Sequence, residues 1–390
     1  MSTRVVKLGT VCTVVSGSTP KSEVAEYWDG DVKWITPAEL TEDSYIITDS
    51  VRHITSQAVH DTSLKPFPEG TVILSSRAPI GKTAIAGCEM YCNQGFKNLI
   101  CSPQIDPKYL YFFLSGKTEF LNSLGRGATF KEISKAIVEN IELPLPELAV
   151  QGQISLQFEY IRTLIKQYRE QLHYLDQLVK SRFIEMFGSF PANPNGWPTG
   201  TIRDIVSEVR YGTSLPAVEG GAYPYLRMNN ITYGGELDLT DTKRIDVPAE
   251  DLPKCTVRRG DVLFNRTNSR ELVGKTCVYN RDEMMVLAGF VVRVRVNEYM
   301  LPEFLSAFMN TDASKRMLLG MCKTAIGQAN INAQELQNIA IYIPPIELQK
   351  EFVAFKAQTD KSKFSLKNGG KEAAIAVKYI WESLCRGTLA

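Results

Sequence analysis

The chain has 390 residues, 44% of them hydrophobic and 22% charged, and Lys plus Arg exceed Asp plus Glu by one, 44 against 43. That length supports two or three domains with cores of their own, and no run of about 18 apolar residues is present to span a membrane. Near-neutral charge argues against a free-standing nucleic-acid binder, which is usually basic, unless the positive charge is gathered in loops or supplied by partners.

The opening text, MSTRVVKLGTVC, carries no apolar signal core and no cleavage signature, so a cytoplasmic location is expected. Eight cysteines scattered over the chain point to reduced thiols and not to a disulfide scaffold. The first strand-like run ends in SRAPIGKT, residues 76–83, which has the look of a phosphate-binding loop. Such a loop needs a glycine where Ser76 stands and a helix directly after the lysine, whereas here the chain continues into the β-like TAIAG, and Pro79 interrupts the loop. A structural turn with its arginine and lysine exposed for an anionic partner fits better.

The phrase recurs as SRELVGKT at 269–276, and its surroundings recur with it. VVSGSTP (14–20) faces VRYGTSLP (209–216), and EGTVILSSRAPIGKT (69–83) faces RGDVLFNRTNSRELVGKT (259–276). PKYLYFFLSG (107–116) faces PEFLSAFMNT (302–311), and EISKAIVENIELPLPEL (132–148) faces NINAQELQNIAIYIPPIEL (330–348). Four blocks in the same order at offsets of 190 to 200 mark an internal duplication.

Between the copies, Phe158, Ile161, Ile165, Tyr168, Leu172, Leu175 and Val179 alternate at spacings of three and four, the heptad pattern of a coiled-coil seam. The pattern predicts a helix over Gln151–Phe187, stopped by GSFPANPNGWP at 188–198. After the second copy a weaker seam runs through Phe352, Phe355, Thr359, Ser362 and Leu366, reaches Gly369 in the NGG interruption, and resumes at Ala373, Val377, Ile380 and Leu384. Two adjacent glycines each cost about 1 kcal/mol relative to alanine in a helix interior, so this second helix is expected to be the weaker one. The predicted division is a globular region over 1–150, a central helix over 151–187, a linker and second globular region over 188–350, and a C-terminal helix over 351–390 that diverges after 367. Antiparallel pairing of the two helices would hold two similar domains apart with approximate twofold symmetry.

Catalytic chemistry is hard to find. His53, His60 and His173 have no ligand spacing, and Cys88, Cys92 and Cys101 lack a nearby fourth ligand, so free thiols are favoured over zinc. No nucleophile elbow, dinucleotide loop or amino-methyltransferase tetrapeptide is present. Instead, amide and basic side chains crowd the turns of both copies. In the first they are Arg77, Lys82, Asn93, Gln94, Lys97, Asn98, Arg126 and Lys131. In the second they are Arg227, Asn229, Asn230, Asn265, Arg266, Asn268, Arg270, Lys275, Lys323, Gln328 and Asn330. Arginine pairs with guanine and Asn or Gln with adenine in the major groove, so these residues are the candidate DNA-binding set; the plainer alternative is that polar residues populate loops everywhere.

In FNRTNSRELVGKT, IGQANINAQELQNIAIYIPPIELQKEF, LDQLVKSRFIEMFG and LPLPELAVQGQI the chain resembles the specificity (S) subunit of type I restriction–modification systems, over nearly its whole length. The resemblance implies an α+β fold with two tandem target-recognition domains, each mixed α/β with a curved sheet, separated by long antiparallel coiled-coil spacer helices. It implies that each domain reads half of a bipartite double-stranded DNA target, with the helices as a ruler and as the dock for two methyltransferase (M) subunits. S-adenosylmethionine would lie in those M subunits, and ATP and Mg in restriction (R) subunits, leaving this chain without a cofactor or catalysis. After Lys367 the sequence departs from the family's mirrored ending, which leaves open whether the chain docks a second M subunit as the family does. A methylation-only or related phage-defence system, an unrelated tandem-domain DNA binder and a self-contained enzyme are the alternatives.

Overall fold

The computed structural model describes residues 4–127, 131–322 and 329–385. The chain forms two compact units, Met1–Arg169 with Asn368–Ala390, and Glu170–Lys367. This division runs through both long helices and not along their ends, so each helix contributes one portion to each unit.

Unit 1 is built on strands β1 (Arg4–Lys7), β2 (Cys12–Val15), β3 (Trp28–Ile35), β4 (Ile46–Ile47), β5 (His53–Ile54), β6 (Val72–Leu74), β7 (Thr83–Ala86), β8 (Tyr91–Cys92), β9 (Asn98–Cys101) and β10 (Glu142–Leu145). One sheet has the order β2-β9-β6-β7-β4, a second the order β5-β3-β8, and β1 pairs with β10. The text of β6 and β7, VIL and TAIA, is apolar without alternation because both faces are buried. The helix Pro107–Ser115 packs across this sheet with Tyr109, Leu110, Phe112, Phe113 and Leu114 buried. It begins at Asp106, whose carboxylate accepts from the Lys108 backbone, and at Pro107 in the first turn.

Unit 2 repeats the plan with β11 (Thr199–Thr201), β12 (Val206–Tyr211), β13 (Tyr223–Leu226), β14 (Lys243–Ile245), β15 (Thr256–Val257), β16 (Val262–Asn265), β17 (Thr267–Asn268), β18 (Thr276–Val278), β19 (Met285–Leu287), β20 (Val291–Val296), β21 (Ala329–Asn330) and β22 (Ala340–Tyr342). The sheet β12-β20-β16-β18 matches β2-β9-β6-β7 strand for strand, and β11 with β22 matches β1 with β10. The second sheet, β14-β13-β19-β15, again pairs its central strand in parallel with the short strand that follows the repeated turn. Gly81 and Gly274, the glycines of the repeated GKT phrase, take φ of +93° and +78°, conformations that disfavour a side chain, and each leads directly into a strand as expected.

Two helices of 40 residues, Leu148–Phe187 and Ile346–Cys385, are each about 60 Å long at 1.5 Å per residue. In unit 2 Arg182 meets Glu351 at 3.0 Å and Phe183 packs edge-on to Phe352, while Asp176 meets Lys363 at 2.5 Å. In unit 1 Tyr168 lies on Gly369, and Phe158 stacks on Trp381 at 4.8 Å between ring centres. Within each unit one number falls as the other rises, the antiparallel sense.

Two expectations about the C-terminal helix are corrected. The helix continues unbroken through Gly369 and Gly370, and Gly369 packs on the Tyr168 ring, where a Cβ would stand 3.0 Å away. The seam also shifts by one residue: Ser362 is exposed and Lys363 is buried in its place. Burial pulls the Lys363 ammonium down, but the hydrogen bond and charge of Asp176, with Asp360 at 3.5 Å, outweigh it and hold the group protonated. The text after Lys367, unlike the family's ending, is built into unit 1: Val377, Ile380 and Trp381 pack against its core.

Candidate nucleic-acid interface

In each unit three segments far apart in sequence meet where the strands of the larger sheet end. In unit 1 the Ser76 N–H donates to the Gly95 carbonyl at 2.8 Å, and the Ser76 carbonyl accepts from the Ile133 N–H at 3.0 Å. In unit 2 the Arg266 N–H donates to the Phe290 carbonyl at 3.0 Å, and the Arg266 carbonyl accepts from the Ile331 N–H at 2.9 Å. The same backbone frame therefore carries the loop after the central strand, the turn before its neighbour and the segment before a short helix.

Glu132 organises the frame of unit 1. It accepts from Arg77 Nε at 2.9 Å and from Lys97 Nζ at 3.1 Å, and its backbone exchanges two hydrogen bonds of 3.0 Å with Arg126. Burial pushes the Glu132 carboxyl up, but the hydrogen bonds and charges of Lys97 and Arg77 outweigh it and hold the group below the usual glutamate range. Arg77, Gln94, Arg126 and Lys131 are exposed on this frame, and Asn93 is half-buried with its side chain accepting from the Gly95 N–H. Lys97 and Asn98 are buried.

In unit 2 the strand pair β17–β21 closes the corresponding place, with Thr267 Oγ1 donating to Asn330 Oδ1 at 2.9 Å. Asn229 and Arg270 are exposed, and Arg266, Asn268 and Asn330 are half-buried. Arg227 pairs with Asp241 at 2.9 Å. Asn230 is buried and donates to the carbonyls of Asp238 and Asp241, and Asn265 is fully buried. Lys323 and Gln328 lie outside the described residues.

The lysines of the two GKT phrases differ from expectation. Lys82 Nζ donates to the Leu40 carbonyl at 2.5 Å, and Lys275 Nζ to the Met228 carbonyl at 2.7 Å. Leu40 follows the short helix Pro37–Glu39 after β3, Met228 opens the short helix Met228–Asn230 after β13, and Lys275 is only 6% exposed. The pair are struts between sheets and not a surface for anions. Burial lowers the affinity of the Lys275 ammonium for its proton.

Sequence reasoning passed over Glu132, Tyr211 and Phe290. Charge balance hides a carboxylate that arranges cations, and exposed aromatics carry no sequence mark that separates them from core ones. Tyr211 is 44% and Phe290 52% exposed, beside Arg266.

A model of the type I restriction modification DNA specificity domain matches residues 3–174 and again 194–376, once for each copy of the repeat. The chain is 32% identical over 257 residues to the MjaIX specificity subunit of a type I restriction enzyme from Methanocaldococcus jannaschii, a match covering 60% of this chain and 59% of that protein. It is 25% identical over 376 residues to the EcoKI specificity subunit of Escherichia coli, covering 89% and 79%. Two solved structures share the fold: a chain of a type I R-M system studied for its complex assembly, with a TM-score of 0.61 at 20% identity over 99% of this chain and 98% of that one, and the S subunit of a type I system from M. genitalium, with 0.53 at 13% over 98% and 96%.

Proposed function

Because the chain belongs to the family of type I restriction modification DNA specificity domains, we propose that it is the DNA-reading subunit of such a complex, with unit 1 reading one half of a bipartite duplex target and unit 2 the other. The observation that carries this reading is the shared backbone frame, which displays different side chains in the two units: Arg77, Gln94, Arg126 and Lys131 in one, Asn229, Arg266, Asn268 and Arg270 in the other. A common scaffold with divergent tips is what two readings of two different half-sites require. Base edges specify the sequence while cations on phosphates position the duplex.

The two long helices are the spacer, and with them comes the docking of the methyltransferase (M) subunits, which bring S-adenosylmethionine. Restriction (R) subunits bring ATP and Mg. Tyr174, Leu178 and Phe364 stand exposed in unit 2, and Leu156 and Tyr160 in unit 1, apolar side chains that a partner helix would cover. The chain itself performs no chemistry on DNA. Incubating the purified chain with labelled S-adenosylmethionine and DNA yields no methyl transfer until an M subunit is added; transfer by the chain alone overturns the proposal.

A further inference from the structure

Strand register, and not the sequence phrase, aligns the tips of the two units. The phrases QGF and AGF suggest that Phe96 and Phe290 correspond. The ladders disagree. Ser75 faces Phe96 across the β6–β9 edge as Asn265 faces Val291 across β16–β20, so Phe96 matches Val291, and both are fully buried. Phe290 then matches Gly95, whose carbonyl accepts the equivalent hydrogen bond. By the same ladders Tyr211, opposite Val292, matches Ser16, and Arg266 matches Ser76.

Three positions on one frame are thus serine, serine and glycine in unit 1, and tyrosine, arginine and phenylalanine in unit 2. The larger set forms one cluster. The Arg266 guanidinium lies 5.0 Å over the Tyr211 ring and donates from Nη1 to the Gly289 carbonyl at 3.3 Å. Tyr211 Oη accepts from the Ala333 N–H at 2.9 Å, and the Gly289 N–H donates to the Thr213 carbonyl at 2.7 Å. The backbone on both sides of Phe290 is therefore held, yet the residue is 52% exposed and belongs to no core cluster of the unit. Burial in a core would account for a phenylalanine; membership of a core does not account for this one.

We infer that Phe290 is a specificity-determining residue of unit 2 that packs against the C5-methyl of a thymine in the DNA target. This rests on the proposed reading of the two units. The ring offers no hydrogen bond, and the thymine methyl is the apolar feature of the major groove that such a ring recognises. Unit 1, with glycine at this position, makes no such contact.

The test begins with the target motif defined by methylation sequencing. Each thymine of the motif is replaced in turn by deoxyuridine, which lacks only the methyl, and binding by the complete complex with its methyltransferase subunits is measured. One thymine, in one half-site, is expected to lose about fourfold in affinity, the effect of one buried methyl. In Phe290→Ala the loss at that position disappears, and in Phe290→Leu part of it remains. A deoxyuridine scan without a sensitive position, or a sensitivity that persists in Phe290→Ala, overturns the inference. A scan of the unaltered protein without a sensitive position overturns the inference even if a variant does not fold, and Phe290→Leu keeps the residue testable if Phe290→Ala does not fold. Failure of the unaltered complex to bind any bipartite sequence refutes the reading of the two units instead.

Discussion

Lys97 has left water, and Glu132 is the anion in its reach, which the exposed Arg77 shares. Lys97 is 8% exposed, so Glu132→Gln leaves a buried charge poorly compensated and should lower stability by about 1–3 kcal/mol. The pH dependence has a definite sign. The folded carboxyl sits below its unfolded value, so its contribution is present above the ordinary glutamate range and is lost as pH falls through the folded value. Acid titration of melting temperature should show a shallower decline in Glu132→Gln than in the parent chain. Lys275→Met removes the strut to Met228 and leaves that carbonyl without this donor; thermal melting should show a loss of about 1–2 kcal/mol. The struts also show where the sequence misleads. GKT is legible as a repeated turn because glycine is needed at positive φ, but a lysine's destination depends on a carbonyl some 40 residues away, which no local pattern encodes. Phe290 is subtler still, since a one-residue offset between phrase and ladder exchanges a core ring for an exposed one.

The central helix was legible nearly to its ends, because its apolar residues recur at heptad spacing and its stop is rich in proline and glycine. The C-terminal helix was not, since Gly369, which makes room for Tyr168, reads locally as a break, and Lys363, which Asp176 neutralises, takes the seam place expected of Ser362. Gly369→Leu forces a side chain against that ring and should destabilise the chain by about 1–3 kcal/mol. In a Tyr168→Ala background Gly369→Ala should instead stabilise by about 1 kcal/mol, the helix propensity recovered, as read by denaturant unfolding. Truncation after Lys367 removes Val377, Ile380 and Trp381 from the core of unit 1. Hydrogen exchange should then quicken in the strands of unit 1 while those of unit 2 keep their protection; uniform loss would contradict the assignment of the tail to unit 1.

At the scale of the molecule the duplication was plain in the sequence, and the strand orders repeat it. Of the residues proposed for reading DNA, Asn98, Asn230 and Asn265 are buried, whereas Tyr211 and Phe290, which the sequence pattern did not single out, are exposed. If each unit reads its own half-site, replacing the exposed Asn229 and Arg270 of unit 2 by alanine alters recognition of one half only. The most direct measurement is single-molecule sequencing of methylated adenine in a host carrying the complete complex, with this chain and with that double variant. The predicted result is a motif of two half-sites separated by unspecified bases, absent without the chain, and changed by the variant in one half-site alone. A continuous motif, a motif that survives deletion of the chain, or equal damage to both half-sites would contradict the account.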